Sequence, residues 1–292
     1  MANNQAHDTR GTSANRLAQA VGLNVAARAA ATPAQGALTA VERRFTDIRN
    51  FEGTDGLKAS GADAFDGDQG QSTFTTEQVY SGTTAGRCFL RATDNHGGFG
   101  NWGGRFDFPN KLLQGDEIFI RWRMYYPAGF KHYSMQDTPE NRGTRIKFMR
   151  IKSKTESGAN AGLLDFYWDR KSASQQYMAI KEISPNHWKG VGTKVDFPNL
   201  FDQWITYNVH YIASAVGEEG RGRFWRNGEL MNDIQMQTLS SSTDTLDWIY
   251  LFTYWNGDVP QAQHCYTDDW KITSDRNETV IDPVTGFPWI GV

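Results

Sequence analysis

Cysteine is nearly missing from this chain: Cys88 and Cys265 are the only two among 292 residues. A disulfide needs Cα atoms within about 7 Å, which spacing along a sequence does not reveal. One bridge would add little to a core this large, so two buried thiols are the simpler reading. No Cys/His spacing of the kind that holds zinc is present, and no Gly-x-x-x-x-Gly-Lys-Ser/Thr phosphate loop occurs. No apolar run approaches the roughly 18 residues that span a bilayer, so no membrane insertion is expected. The start, Met1-Ala2-Asn3-Asn4-Gln5-Ala6-His7-Asp8, lacks the apolar stretch of a signal peptide. Net charge is −3 and the pI is near 6.1, which argues against a broad basic surface for nucleic acid.

Aromatic side chains and glycine are what the chain has in quantity. Phe, Trp and Tyr make up 13%, with 10 Trp and 29 Gly. That mixture suits twisted sheets joined by tight turns. Residues 1–44 stand apart: they are rich in Ala, Asn, Arg and Thr and contain no aromatic before Phe45. They read as a leader without a core of its own, or as an arm that orders by docking on a partner. From Phe45 onward apolar residues alternate with polar ones. In Asp116–Tyr126, Ile118, Ile120, Trp122 and Met124 alternate with Phe119, Arg121, Arg123 and Tyr125. Similar runs recur at 87–93, 144–151, 163–169, 176–181, 204–213, 221–226, 248–255 and 264–272. Strands of this kind have one dry face and one wet face, the pattern of an antiparallel sandwich. Residues 276–292 read as an irregular tail pinned by Trp289.

The stretch Phe201-Asp202-Gln203-Trp204-Ile205-Thr206-Tyr207-Asn208-Val209-His210-Tyr211 precedes Gly220-Arg221-Gly222-Arg223-Phe224-Trp225-Arg226-Asn227-Gly228-Glu229-Leu230. Together they resemble paired strands of concanavalin A-like lectins, LamG-like domains and jelly-roll polysaccharide lyases, with Asn227-Gly228 as a two-residue hairpin turn. Leu113–Phe130 is similar to a lyase-type strand and loop, and Tyr266–Ile272 to the closing strand of such jelly rolls. The resemblance implies an all-β, antiparallel jelly-roll sandwich over residues 45–275. It also implies a structural Ca²⁺ between Phe51-Glu52-Gly53 and the last strand, with Glu52, Asp268 and Asp269 as oxygen ligands.

The family pattern sets Ile205, Tyr207, Val209 and Tyr211 inward, which turns Thr206, Asn208 and His210 to the opposite face. By the same alternation Arg145, Lys147 and Met149 share a face, with Ile146 and Phe148 inward, and Asp165 and Tyr167 oppose Leu164, Phe166 and Trp168. Tyr250 and Tyr254 recur on one late strand, His264 and Tyr266 on the last. Should these faces meet, they form a saccharide groove of Asp165, Tyr167, Asn208, Tyr250, His264 and Tyr266, with Trp102 on a glycine-rich rim loop. His187-Trp188 is a second rim candidate. The same residues suit β-elimination on a uronic acid: Arg145 or Lys147 neutralises the carboxylate, and His210 or Tyr254 takes the C5 proton. The paired-carboxylate strand signature of laminarinase-like hydrolases is absent. So are the Arg-Glu-Leu-Arg and Gln-Ile-His signatures of alginate lyases.

Three functions follow. The first is a glycan-binding appendage of a bacteriophage virion, with residues 1–44 docked on other virion proteins and the sandwich displayed outward on the extracellular particle. The second is a lyase acting on an anionic polysaccharide. The third is a non-catalytic module cementing capsid or tail subunits. Self-association is open in each.

Overall fold

The computed structural model describes residues 39–68, 71–91, 103–132, 145–171, 174–184, 187–217, 219–255 and 261–292. The chain divides into residues 1–42 and residues 43–292; the first unit is described only at its last four residues. The described residues of the second are all-β apart from one 3₁₀ turn, Arg276–Glu278. Its strands are β1 (Thr46–Arg49), β2 (Gly67–Asp68), β3 (Ser72–Thr75), β4 (Ala85–Leu90), β5 (Gly104–Leu112), β6 (Glu117–Tyr125), β7 (Arg145–Lys154), β8 (Asn160–Lys171), β9 (Ser174–Ser184), β10 (His187–Pro198), β11 (Trp204–Ile212), β12 (Arg221–Arg226), β13 (Glu229–Gln235), β14 (Thr245–Trp255), β15 (Gln263–Thr273), β16 (Val280–Ile281) and β17 (Pro288–Trp289).

Two antiparallel sheets result, as expected for a jelly roll. The first runs β13-β12-β11-β6-β15-β4-β3, with β1 also paired to β15; the second runs β10-β9-β8-β7-β14-β5-β2. Asn227 and Gly228 both take positive φ (48° and 86°) between β12 and β13. This is the backbone that a two-residue hairpin turn requires.

The inner faces meet in an aromatic layer. From the first sheet come Trp122, Tyr207, Phe224 and Trp270; from the second come Phe106, Phe148 and Phe166. Trp122 stacks on Tyr207 at 5.2 Å and on Trp270 at 5.3 Å, and Trp270 continues to Phe106 at 4.5 Å. On the other side Phe224 meets Phe166 at 5.7 Å. The Trp270 indole N–H donates to Thr267 Oγ1 (2.7 Å), whose hydroxyl donates to the Arg123 carbonyl (3.0 Å), so this ring is buried without losing its polar bond.

Bulges interrupt the alternation at several places, and two of them bear on the outer faces. On β7 a register shift falls between Lys147 and Met149, against both β8 and β14. Phe148 and Met149 are consequently both in the core. Met149 therefore does not share the face of Lys147, contrary to the period-two expectation, because one extra residue has been inserted. On β15 the shift lies between Asp268 and Lys271, with Asp269 at φ 48°.

Cys88 and Cys265 stand opposite one another across β4 and β15 as buried free thiols. The tail has more order than its composition suggested. Val280–Ile281 pairs with Pro288–Trp289, and Trp289 packs 6.0 Å from Trp225. The Trp225 indole N–H donates to Asp282 Oδ2 (3.0 Å), and the Asn208 amide donates to the Gly291 carbonyl (3.0 Å). The tail thus covers the outer face of β11 and β12.

His132 is buried among the rings of Tyr126, Phe130 and Phe201. Burial pushes its pKa down to about 3. The unfolded chain binds a proton there from about pH 6.5 downward and the folded chain does not. The associated stability is therefore complete above that pH and is lost as pH falls towards 3. In urea titrations at neutral pH and near pH 5, His132→Phe should reduce the acid-induced loss of unfolding free energy by about 2 kcal/mol. In the same assay Trp122→Ala should cost about 3–5 kcal/mol through loss of apolar burial and the cavity left behind.

Candidate functional site

The outer face of the second sheet carries Lys147, Arg150 and Lys152 beside Tyr250. On β7, Lys147 is the register partner of Tyr254 on β14 and of Tyr167 on β8. The next row across the sheet is Asp165, Arg150, Tyr250 and Arg105, on β8, β7, β14 and β5. Beyond it Lys152 faces Trp248, which faces Asp107. Lys147, Arg150 and Lys152 are each under 8% exposed, yet they alternate with the core residues Phe148, Met149 and Ile151. Their alternation with these core residues places them on the outer side of the sheet.

Lys147, Arg150 and Lys152 thus put three cationic side chains on one strand within six residues, each with contacts of its own. Arg105 is held by Asp107, with Nε 2.8 Å from Oδ1 and Nη2 donating to Oδ2 at 2.9 Å. Burial lowers its affinity for a proton, but Asp107 and Tyr250 outweigh that and leave its pKa raised. Trp248 and Tyr250 meet edge to face at 4.4 Å, which adds an aromatic surface to the cationic strip.

Of the residues expected from the sequence, Arg145, Lys147, Asp165, Tyr167, Tyr250 and Tyr254 fall on β7, β8 and β14 of this sheet. Arg150, Lys152 and Arg105 were missed. The β7 bulge turned the face by one residue after Lys147. Its sequence signal was the adjacent apolar pair Phe148-Met149, which breaks strict alternation. Arg105 lies on a strand whose own alternation, Arg105-Phe106-Asp107-Phe108, follows directly on the glycine-rich stretch assigned to a rim loop. Trp102 lies outside the described residues.

His210 and Asn208 are not part of this face. They lie on β11 in the first sheet, whose outer surface points away from that of the second. The groove uniting His210 with Arg145 is therefore corrected by the topology. His210 is also fully engaged. Arg223 Nη1 lies 3.0 Å from its Nδ1, and Glu117 Oε2 lies 2.7 Å from its Nε2. A guanidinium can only donate, so Nδ1 accepts and Nε2–H donates to the carboxylate, which fixes a neutral tautomer. Burial lowers its pKa, and the Glu117 hydrogen bond opposes that. The ring stacks on Phe119 at 4.4 Å. This is a structural histidine with no nitrogen left for a substrate proton.

His264 and Tyr266 are likewise on the first sheet, on β15. The three residues suggested for Ca²⁺ each bond to groups of the protein. Glu52 accepts from the backbone N–H and hydroxyl of Thr83. Asp268 accepts from the N–H groups of Tyr80, Ser81 and Asp269 (2.8–3.0 Å), and burial pushes its pKa up to about 6. Asp269 is clamped between Arg121 (2.7 Å) and Arg123 (2.9 Å). These oxygens serve amides, a hydroxyl and guanidinium groups, and among the described residues no three His, Cys, Asp or Glu converge as a metal site. Glu52 and Asp268 instead fasten the segment between β3 and β4 from two sides.

No family model matches the chain, and no curated protein matches it. Solved structures do. The fold is similar to the alginate lyase Aly36B, in a variant with one lysine and one tyrosine replaced by alanine and in complex with alginate tetrasaccharide. The TM-score is 0.53 at 12% identity, covering 78% of this chain and 96% of that one. It is similar to an endo-β-1,4-glucuronan lyase from the fungus Trichoderma reesei, with TM-score 0.51, 10% identity and coverage of 79% and 95%. It is also similar to the alginate lyase vAL-1 from Chlorella virus, with TM-score 0.50, 15% identity and coverage of 70% and 89%. The described chain from Arg43 onward is thus a jelly-roll β-sandwich of the kind found in polysaccharide lyases.

Proposed function

We propose that the protein is a polysaccharide lyase that cleaves an anionic, uronate-containing polymer by β-elimination on the outer face of its second sheet. The observation that carries this reading is the set Lys147, Arg150 and Lys152 on β7, in register with Tyr254 and Tyr250 on one side and Tyr167 and Asp165 on the other. A uronate carboxylate held by these cations is neutralised, which acidifies C5–H. Tyr254, as its phenolate, takes the C5 proton. The electron pair forms the C4–C5 double bond as the C4–O glycosidic bond breaks, and the departing oxygen takes a proton from water. Arg150 and Arg105 bind carboxylates of flanking sugars, and Trp248 and Tyr250 offer ring surface to sugar C–H faces.

The similar structures support this over the non-catalytic readings, since alginate lyases and a glucuronan lyase span nearly their whole length on this fold. The alginate-bound Aly36B variant replaces a lysine and a tyrosine, the residue types that are register partners here at Lys147 and Tyr254. The appendage role on a virion draws on residues 1–44, and no feature of the sandwich favours it.

The test is the ultraviolet absorbance of the unsaturated uronate product, with alginate, polyglucuronate and polygalacturonate as substrates. Lys147→Ala and Tyr254→Phe should each lower kcat by about 10²–10⁴-fold. His210→Ala should keep near wild-type kcat at a temperature where it is folded, while lowering the thermal midpoint. Activity that survives Lys147→Ala and Tyr254→Phe but vanishes in folded His210→Ala protein would reverse the assignment of faces.

A further inference from the structure

The outer face of the first sheet carries a second constellation that the lyase reading does not use. A single cross-strand row runs from Thr73 on β3 to Arg87 on β4, Tyr266 on β15, Tyr125 on β6 and Trp204 on β11, each the register partner of the next. Beside it Phe89 on β4 faces His264 on β15. With strands about 4.8 Å apart, the row extends about 19 Å, the reach of a short oligosaccharide and not of one sugar. The rings form a continuous chain. His264 meets Tyr266 at 5.2 Å, Tyr266 meets Tyr125 at 5.9 Å, Tyr125 meets Trp204 at 5.6 Å and Trp204 meets Tyr80 at 5.8 Å. Tyr80 is 43% exposed, and Phe89, Tyr125, Trp204 and His264 are half-buried.

At one end the row opens into a depression of about 440 Å³ lined by Gln71, Thr73, Arg87, Phe89 and Arg91. The lining combines a ring, two guanidinium groups, an amide and a hydroxyl. A ring covers sugar C–H faces, an amide and hydroxyl bond sugar hydroxyls, and guanidinium groups grip carboxylates with two parallel bonds. Arg87 and Arg91 supply the cationic groups of the depression, burial lowers the pKa of His264, and at the far end of the row the Tyr125 hydroxyl donates to Asp202 (3.4 Å). Glu77 is shared between the Tyr266 hydroxyl (2.7 Å), Arg87 (3.5 Å) and His264 (4.0 Å). The tail that covers this sheet lies over β11 and β12, where Asn208, Arg223 and Trp225 hold Gly291, Phe287 and Trp289. On β15 it meets Lys271, which donates to Glu278 (2.8 Å), at the end of the strand away from His264 and Tyr266.

We infer that this row is a second, non-catalytic site for an anionic oligosaccharide, on the sheet opposite the proposed lyase face. The choice of a uronate chain rests on the lyase reading; the site itself rests on its own rings and cations. It would hold a polymer strand against the protein while another segment is cut on the far side, which raises the local substrate concentration.

Affinity electrophoresis of the full chain through gels containing alginate tests this, with gels containing neutral hydroxyethylcellulose for comparison. Four proteins are run: wild type, Lys147→Ala/Tyr254→Phe, Arg87→Gln/Phe89→Ala, and Arg87→Lys. Near-ultraviolet circular dichroism verifies that each is folded. The expected result is retardation of the Lys147→Ala/Tyr254→Phe protein by alginate. Arg87→Gln/Phe89→Ala should lose at least about tenfold in apparent affinity, and Arg87→Lys should fall between. Equal retardation of folded Arg87→Gln/Phe89→Ala and wild type overturns the proposal. So does equal retardation of wild type by the neutral gel, or none by alginate. The lyase reading is judged separately by product absorbance. An Arg87→Gln/Phe89→Ala protein that cleaves short oligosaccharides at the wild-type kcat but needs more polymer for half-maximal rate supports the second site.

Discussion

The stacking of Trp122 between Tyr207 and Trp270, with Phe106, Phe148, Phe166 and Phe224 closing the layer from both sheets, is the constraint on which the rest of the molecule depends. Seven large rings in van der Waals contact fix the separation and relative rotation of the two sheets, because a packed aromatic interior has little room to slide. Each ring also sets the parity of its strand. With Phe106 inward, Arg105 and Asp107 face out; with Phe148 inward, Lys147 faces out.

On this base the two outer faces acquire different characters. The first sheet is sealed over β11 and β12 by the tail and by ion pairs that satisfy one another: His210 with Glu117 and Arg223, and Asp269 with Arg121 and Arg123. The second sheet concentrates lysine and arginine on β7 beside tyrosines on β8 and β14. A buried, mutually satisfied network stabilises and specifies a surface. A cationic strip beside aromatic rings is chemistry suited to an incoming anion.

The bulges decide where one character gives way to the other. On β15 the extra residue puts Asp268 and Asp269 in succession on the outer side, one bonded to the segment between β3 and β4 and the other to two arginines. One acid of the pair is thus a fastening and the other a charge clamp. On β7 the extra residue sends Met149 into the core and brings Arg150 and Lys152 into line with Lys147.

The alternation from Phe45 onward, the Asn227-Gly228 turn and the inward set Ile205, Tyr207, Val209 and Tyr211 follow from the sequence alone, because period-two burial and positive φ are local properties. The outward parity of Lys147 and Tyr250 is legible for the same reason. Tertiary structure alone decided which strands share a sheet, and so that His210 and Lys147 lie on opposite sides of the sandwich. Two strands with the same alternation look identical until pairing assigns them, and pairing is set by contacts between residues far apart in the chain. The parity of β7 beyond Lys147 was equally hidden: a bulge inserts a residue without a fixed sequence mark, and a single step exchanges every later side chain between core and solvent.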